Sequence, residues 1–197
     1  MAVALVPLLS YSFIGSITPG PNNIMLAASG VNFGFRQTVP HFLGVYFGFL
    51  LMLTIACLGL GQIFHHVPIL QPIMKYAGSA YLLYLAYRIA TSEQVGKAAV
   101  GKPLTFFEAA LFQYINPKAW IMASTIPAAF TLNEGVSLSD TTFLVGGHAL
   151  VSLPSILAWV LIGTQLRRLL STPRSRLLFN MGMATLLVGT VAMILLD

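Results

Sequence analysis

Apolar residues in this chain run in long blocks, with polar side chains gathered between them. The blocks fall at roughly residues 4–28, 39–61, 68–90, 105–130, 141–163 and 177–196. Each is about 20 to 26 residues long, and about 20 apolar residues suffice for one helical crossing of a bilayer. The pattern predicts an all-α membrane protein with six transmembrane helices. Two of the blocks are interrupted, and they are the first and the fourth.

The first interruption is Thr18-Pro19-Gly20-Pro21-Asn22-Asn23, and the second is Asn116-Pro117-Lys118. Prolines and glycine remove backbone donors and weaken the helical ladder. A broken backbone at membrane depth is tolerated only where protein buries it or it lines a polar cavity. Thr18 before Pro19 and Asn116 before Pro117 each read as an N-cap followed by proline at the first helical position. That would free the N–H groups of Gly20, Asn22, Asn23, Lys118 and Ala119 for an anion, since a helix N-terminus carries partial positive charge. The carbonyls released upstream, around Ser16-Ile17 and Tyr114-Ile115, would suit an ammonium group. Together these make a site for a small zwitterion, with Thr18, Pro19, Gly20, Pro21, Asn22, Asn23, Tyr114, Asn116, Pro117 and Lys118 as the expected substrate-binding residues. An isolated proline in one span reads more readily as a packing kink, and Asn22 or Asn23 as interhelical glue. Two breaks at matching places favour a site.

Composition agrees with the pattern: 57% of residues are hydrophobic and 8% charged, and mean hydropathy is +0.84. Ordinary soluble domains are about a quarter charged. The single cysteine, Cys57, excludes an internal disulfide and CxxC redox chemistry. The net charge of +5 reads as a topology signal rather than a nucleic-acid footprint. Arg36, then Arg88, Lys97 and Lys102, then Arg167, Arg168, Arg174 and Arg176 follow spans one, three and five. The opposite side holds Lys75, with Glu134, Asp140 and Asp197. This bias places loops one, three and five in the cytoplasm and both termini outside. No lysine or arginine precedes Arg36, so the first apolar segment is expected to stay rather than act as a signal peptide.

The connector at 91–102 divides a single transmembrane transporter domain, 1–197, into repeats of about 1–98 and 99–197. Three spans per half force the second half to enter from the other face. The expected plan is a 3+3 inverted repeat with helices 1 and 4 broken near the midplane, a recurrent plan in secondary transporters.

Other polar residues inside the spans carry two readings each. Lys118 is a costly buried cation and hence a functional candidate, or it pairs with a carbonyl. Glu108 is either a proton carrier or, more simply, the end of a Thr105-x-x-Glu108 capping box. His41 and His148 titrate near physiological pH and could relay a proton, or each is a satisfied packing residue. His65-His66 reads as solvated in an outward loop. Gly44 and Gly48 form GxxxG, and Gly59, Gly78, Gly146, Gly147, Gly163, Gly182 and Gly189 suit close helix approach. Tyr84 and Tyr87 fit interface anchoring.

Thr18 to Asn23 followed by Gly34-Phe35-Arg36, with Tyr76 to Leu82 and Gln113 to Ala119, resembles the signatures of the LysE/RhtB family of amino-acid exporters. Asn22 through Gln37 and Ala86 through Ser92 also look like its cysteine/O-acetylserine exporter branch. The resemblance implies efflux of small amino acids or derivatives through a bacterial cytoplasmic membrane, by exchange for protons. The expected partners are a small amino-acid substrate, a proton and membrane lipid, with a homo-oligomer compatible and nucleic acid not involved. No GxxxxGK[ST] loop occurs, so an ion gradient is the natural driving force. No cofactor and no resident metal are expected. The competing readings are a metal-ion exporter, for which the spans offer scattered ligands, and an intramembrane enzyme, for which no nucleophile–base pair or HExxH is visible.

Overall fold

The computed structural model describes residues 2–59, 69–91, 102–130, 136–170 and 172–196, apart from the side chains of 2–4, 70 and 71. His65, His66, Lys97, Glu134 and Asp197 lie outside the described residues. The described residues form eight α-helices and one 3₁₀ turn, with no strand.

The first apolar block is divided in two. Helix α1 (Ala2–Ile17) ends before Pro19, and α2 (Pro21–Phe33) starts afresh. The new helix begins two residues later than the Thr18-Pro19 cap predicts. Gly20 is the N-cap, in extended backbone, with Pro21 at the first helical turn and no side-chain cap. Pro19 has no N–H to donate, and Thr18 still closes onto the preceding helix through its N–H to the Ile14 carbonyl at 3.0 Å. Helix α2 stops at Gly34, whose φ of +80° suits a residue without a Cβ and turns the chain into α3 (Phe35–Cys57). Helix α4 (Leu70–Ala90) follows.

The fourth apolar block is divided in the same way. Helix α5 (Phe106–Phe112) passes through a 3₁₀ turn (Gln113–Ile115) into extended Asn116, then α6 (Pro117–Phe130). Helices α7 (Leu138–Leu169) and α8 (Pro173–Leu196) complete the chain. Capping boxes start α5, through Thr105 and Glu108, and α7, through Ser137 and Asp140. Helices α3, α7 and α8 are each long and apolar enough to cross a membrane.

The exterior is apolar, and polar side chains are set into an apolar core. Leu150, Leu161, Ile162, Leu186 and Met193 are exposed, whereas Ser12, Asn23, Gln113, Asn116, His148 and Asn180 are buried. Large apolar side chains across the exterior suit lipid as the surrounding solvent.

Small residues bring the helices together. Gly30 and Gly163 put α2 against α7: a Cβ on Gly30 would lie 2.8 Å from the Val160 carbonyl oxygen, and one on Gly163 would strike that of Ala27. Gly48 admits α5, with Ala110 Cα only 2.6 Å from where a Cβ would stand. Helix α4 packs along α8, and α1 along α7. Gly59, Gly146, Gly182 and Gly189 make no close approach among the described residues, where a Cβ on any of them meets nothing within 4 Å. Basic residues meet at one end, where Arg88 donates to the Lys102 carbonyl at 2.7 Å and Arg167 lies against Gly34.

Candidate functional site: a cavity between two interrupted helices

The two interruptions meet. Asn22, in the first turn of α2, and Gln113, in the 3₁₀ turn, exchange amide hydrogen bonds of 2.8 and 3.2 Å. Gln113 is fully buried and also donates to the Ala109 carbonyl at 2.8 Å. Lys118, one residue into α6, reaches back to the end of α1. Its ammonium donates to the Thr18 carbonyl at 3.0 Å, to Thr18 Oγ1 at 2.9 Å and to the Pro19 carbonyl at 3.5 Å.

Beside these contacts lies a cavity of about 60 Å³. At roughly 10–15 Å³ for one buried water centre, it holds a handful of waters, the scale of a very small zwitterion. Gly20, Pro21, Asn22, Asn23, Asn116 and Lys118 line it, all from the predicted set. Pro21, Asn116 and Lys118 also border a larger, mostly apolar groove of about 600 Å³ between α4, α6 and α8, which Pro117 lines as well. Tyr114 lines neither cavity. Its carbonyl accepts from Trp120 Nε1 at 2.9 Å, and its ring meets that indole edge-on.

The carbonyls expected to await an ammonium group are already taken. Asn23 Nδ2 donates to both Ser16 and Thr18 carbonyls at 2.8 Å, and Trp159 Nε1 to Ile17 at 3.1 Å. Ile115's carbonyl is pressed onto Gly78, where a side chain would collide with it. The Ala119 N–H is spent too, on the Asn116 carbonyl at 3.0 Å. Buried, low-dielectric surroundings make an unpaired backbone group expensive, so the fold supplies its own donors. Among the cavity-lining side chains, Asn116 Oδ1 and His148 Nδ1 are buried without a partner among the described residues, and the N–H groups of Asn22 and Asn23, in the first turn of α2, have no acceptor within their own helix.

Of the three proton-relay candidates, one lines the central cavity, and His41 and Glu108 lie near each other away from it. His148 lines the central cavity, its ring 4.7 Å from that of Phe49. His41 is buried at a second cavity of about 60 Å³ that Ser29, Asn32, Arg88 and Lys102 also line. Glu108 lies at the exposed start of α5, where its carboxylate accepts from the Thr105 N–H at 2.8 Å and hydroxyl at 2.9 Å. It does not line the central cavity. Among the described residues no group of three or more His, Cys, Asp or Glu side chains converges.

Sequence reading missed Gln113, Trp159, Tyr46 and Ser152. Gln113 carries a visible signal, an amide in an apolar run three residues before Asn116. Tyr46 and Ser152 line the cavity from α3 and α7, and nothing local in their segments sets them apart.

A family profile described as a LysE type translocator matches residues 13–197. The cysteine/O-acetylserine efflux protein of Escherichia coli strain K12 is 31% identical over 167 residues, covering 81% of this chain and 82% of that protein. The proteins of the same name from Shigella sonnei strain Ss046 and Escherichia coli O139:H28 match over the same shares at 31% and 30%. No solved structure matches. With nearly the whole chain covered, this protein is a membrane translocator rather than an enzyme, and it belongs to the LysE family.

Proposed function

We propose that this protein exports small amino acids or their derivatives, of the cysteine and O-acetylserine kind, across a bacterial cytoplasmic membrane in exchange for protons. The observation that carries this reading is the joining of two helix interruptions, one from each half, around one small cavity whose lining includes Asn22, Asn23, Asn116 and Lys118. The substrate carboxylate meets the first turn of α2, where Asn22 and Asn23 offer N–H groups. Asn116 Oδ1 accepts from the substrate ammonium. The small cavity restricts the side chain.

The packing supports a 3+3 inverted repeat. Exchanging the two halves carries the pairing of span one with span five onto that of span four with span two. Both pairings are extensive, and spans three and six pack on each other as their own mates. Rocking of one repeat against the other then opens the cavity to each side in turn. The basic end, with Arg36, Arg88 and Arg167, faces the cytoplasm, and both termini face outward.

The test is efflux of radiolabelled O-acetyl-L-serine from proteoliposomes. An inwardly directed proton gradient is expected to accelerate efflux, and a protonophore to remove that acceleration. Efflux no faster than from empty liposomes overturns the assignment, and efflux indifferent to the gradient overturns the proton coupling alone.

A further inference from the structure

Lys118 has unusual company for a buried lysine. Its ammonium touches two backbone carbonyls and one hydroxyl, all from Thr18 and Pro19. Among the described residues no carboxylate lines either cavity that it borders; the other titratable groups there are Tyr46 of α3 and His148 of α7 in the central cavity, and Lys75 of α4 in the outer groove. Helices α1, α2 and α8 contribute no titratable side chain to these linings. The cation is therefore held only by neutral dipoles at the C-terminal end of α1, where a helix favours positive charge.

We propose that these oxygens form the cation subsite of the transporter, and that Lys118 is its resident occupant, displaced by the ammonium of the substrate and carrying the coupling proton. This rests on the export reading above. A substrate ammonium has the same charge and the same three donors as the lysine head, so it takes over the two shorter hydrogen bonds to Thr18 and turns its third donor to Asn116 Oδ1 in place of the 3.5 Å contact with Pro19. Asn116 Oδ1, unpaired beside the site, is an acceptor that Lys118 leaves unused. Once displaced, Lys118 faces a cavity with no counter-ion. A cation without a partner in such surroundings is costly, and losing its proton removes that cost.

The cycle balances. On the inner side, a substrate ammonium enters the subsite, Lys118 is released as a neutral amine, and its proton goes to the cytoplasm. On the outer side the substrate leaves, Lys118 takes one proton from outside and returns to Thr18 and Pro19. Each turn moves one zwitterion out and one proton in. Gly20 provides the room, since a Cβ there would stand 2.9 Å from Lys118 Cδ and 3.0 Å from Nζ.

O-Acetyl-L-serine and N-acetyl-L-serine test this, being isomers of which only the first carries an ammonium group. Binding of O-acetyl-L-serine to wild-type protein in weakly buffered detergent is expected to release about one proton per site, read with a pH dye. N-Acetyl-L-serine is expected to release none. Lys118→Met should bind O-acetyl-L-serine about tenfold more tightly, because no resident cation holds the subsite. In proteoliposomes that variant should exchange the compound but ignore a proton gradient. Lys118→Arg should lose both activities, since a guanidinium does not give up its proton. The inference is overturned if wild-type binding releases no proton, if both isomers bind alike, or if efflux through Lys118→Met still follows the gradient. Wild-type measurements suffice should a variant misfold. Failure of wild type to move O-acetyl-L-serine at all overturns the export reading as well, whereas the other outcomes leave it standing.

Discussion

The two interruptions begin from similar sequence, a polar residue followed by proline in an apolar span, and end in opposite conditions. At the first, the released carbonyls of Ser16, Ile17 and Thr18 are met by side chains from three other helices: Asn23 of α2, Trp159 of α7 and Lys118 of α6. At the second, much of the hydrogen bonding is local. Asn116 N–H returns to Gln113, the N–H groups of Ala119 and Trp120 return to Asn116, and the Trp120 indole covers Tyr114. The first break has Asn23 at hand locally but draws Trp159 and Lys118 from distant parts of the chain, and the second largely supports itself. A region satisfied by distant side chains can exchange them for a ligand, whereas a locally closed turn cannot do so without unfolding. On the proposed export reading, ligand competition falls at the first break, and the second presents Lys118 and Asn116.

Removing Asn23 should break the comparison hardest. Asn23→Ala takes the donor from the buried Ser16 carbonyl and leaves that of Thr18 to Lys118 alone, and is expected to cost about 2–4 kcal/mol, read as a lower midpoint of thermal unfolding in detergent. A loss under about 0.5 kcal/mol would show that the first break finds donors elsewhere. Gly78→Ala presses a methyl group onto the Ile115 carbonyl, which belongs to backbone and cannot swing aside. It should cost about 1–3 kcal/mol and slow substrate exchange. No change in either would mean that α4 and the second break do not press on each other.

The Asn22–Gln113 bridge ties the two regions together. A double-mutant cycle with Asn22→Ala and Gln113→Ala is expected to give a coupling energy of about 1 kcal/mol, and additivity would dissolve the link. The mildest effect belongs to the self-supporting break. Trp120→Phe keeps the ring and drops one hydrogen bond, for about 1 kcal/mol or less. A larger loss than that of Asn23→Ala would reverse the contrast drawn here.

Much of this protein is local and therefore readable. Runs of apolar residues determine helices for a lipid solvent, because every backbone group must be paired within its own segment. Pro19, Pro21 and Pro117 determine that two spans break, since a missing N–H acts whatever surrounds it. Thr105-x-x-Glu108 likewise marks its helix start and takes Glu108 out of the cavity. Where α2 restarts was less legible: Thr18 competes for the cap, and Gly20 takes it because two prolines flank a residue free to extend.

Partner choice across the chain was decided by tertiary structure alone. No spacing rule says that Asn23 will take the carbonyls of Ser16 and Thr18, that Trp159 will reach Ile17 across 142 residues, or that Lys118 will reach Thr18 and Pro19. The chain dictates which groups are freed, because that is covalent chemistry and local sterics. Which group answers them depends on which helices pack side by side. That is set by close contacts such as Gly30 with Val160 and Gly163 with Ala27, which exist only once the bundle has formed.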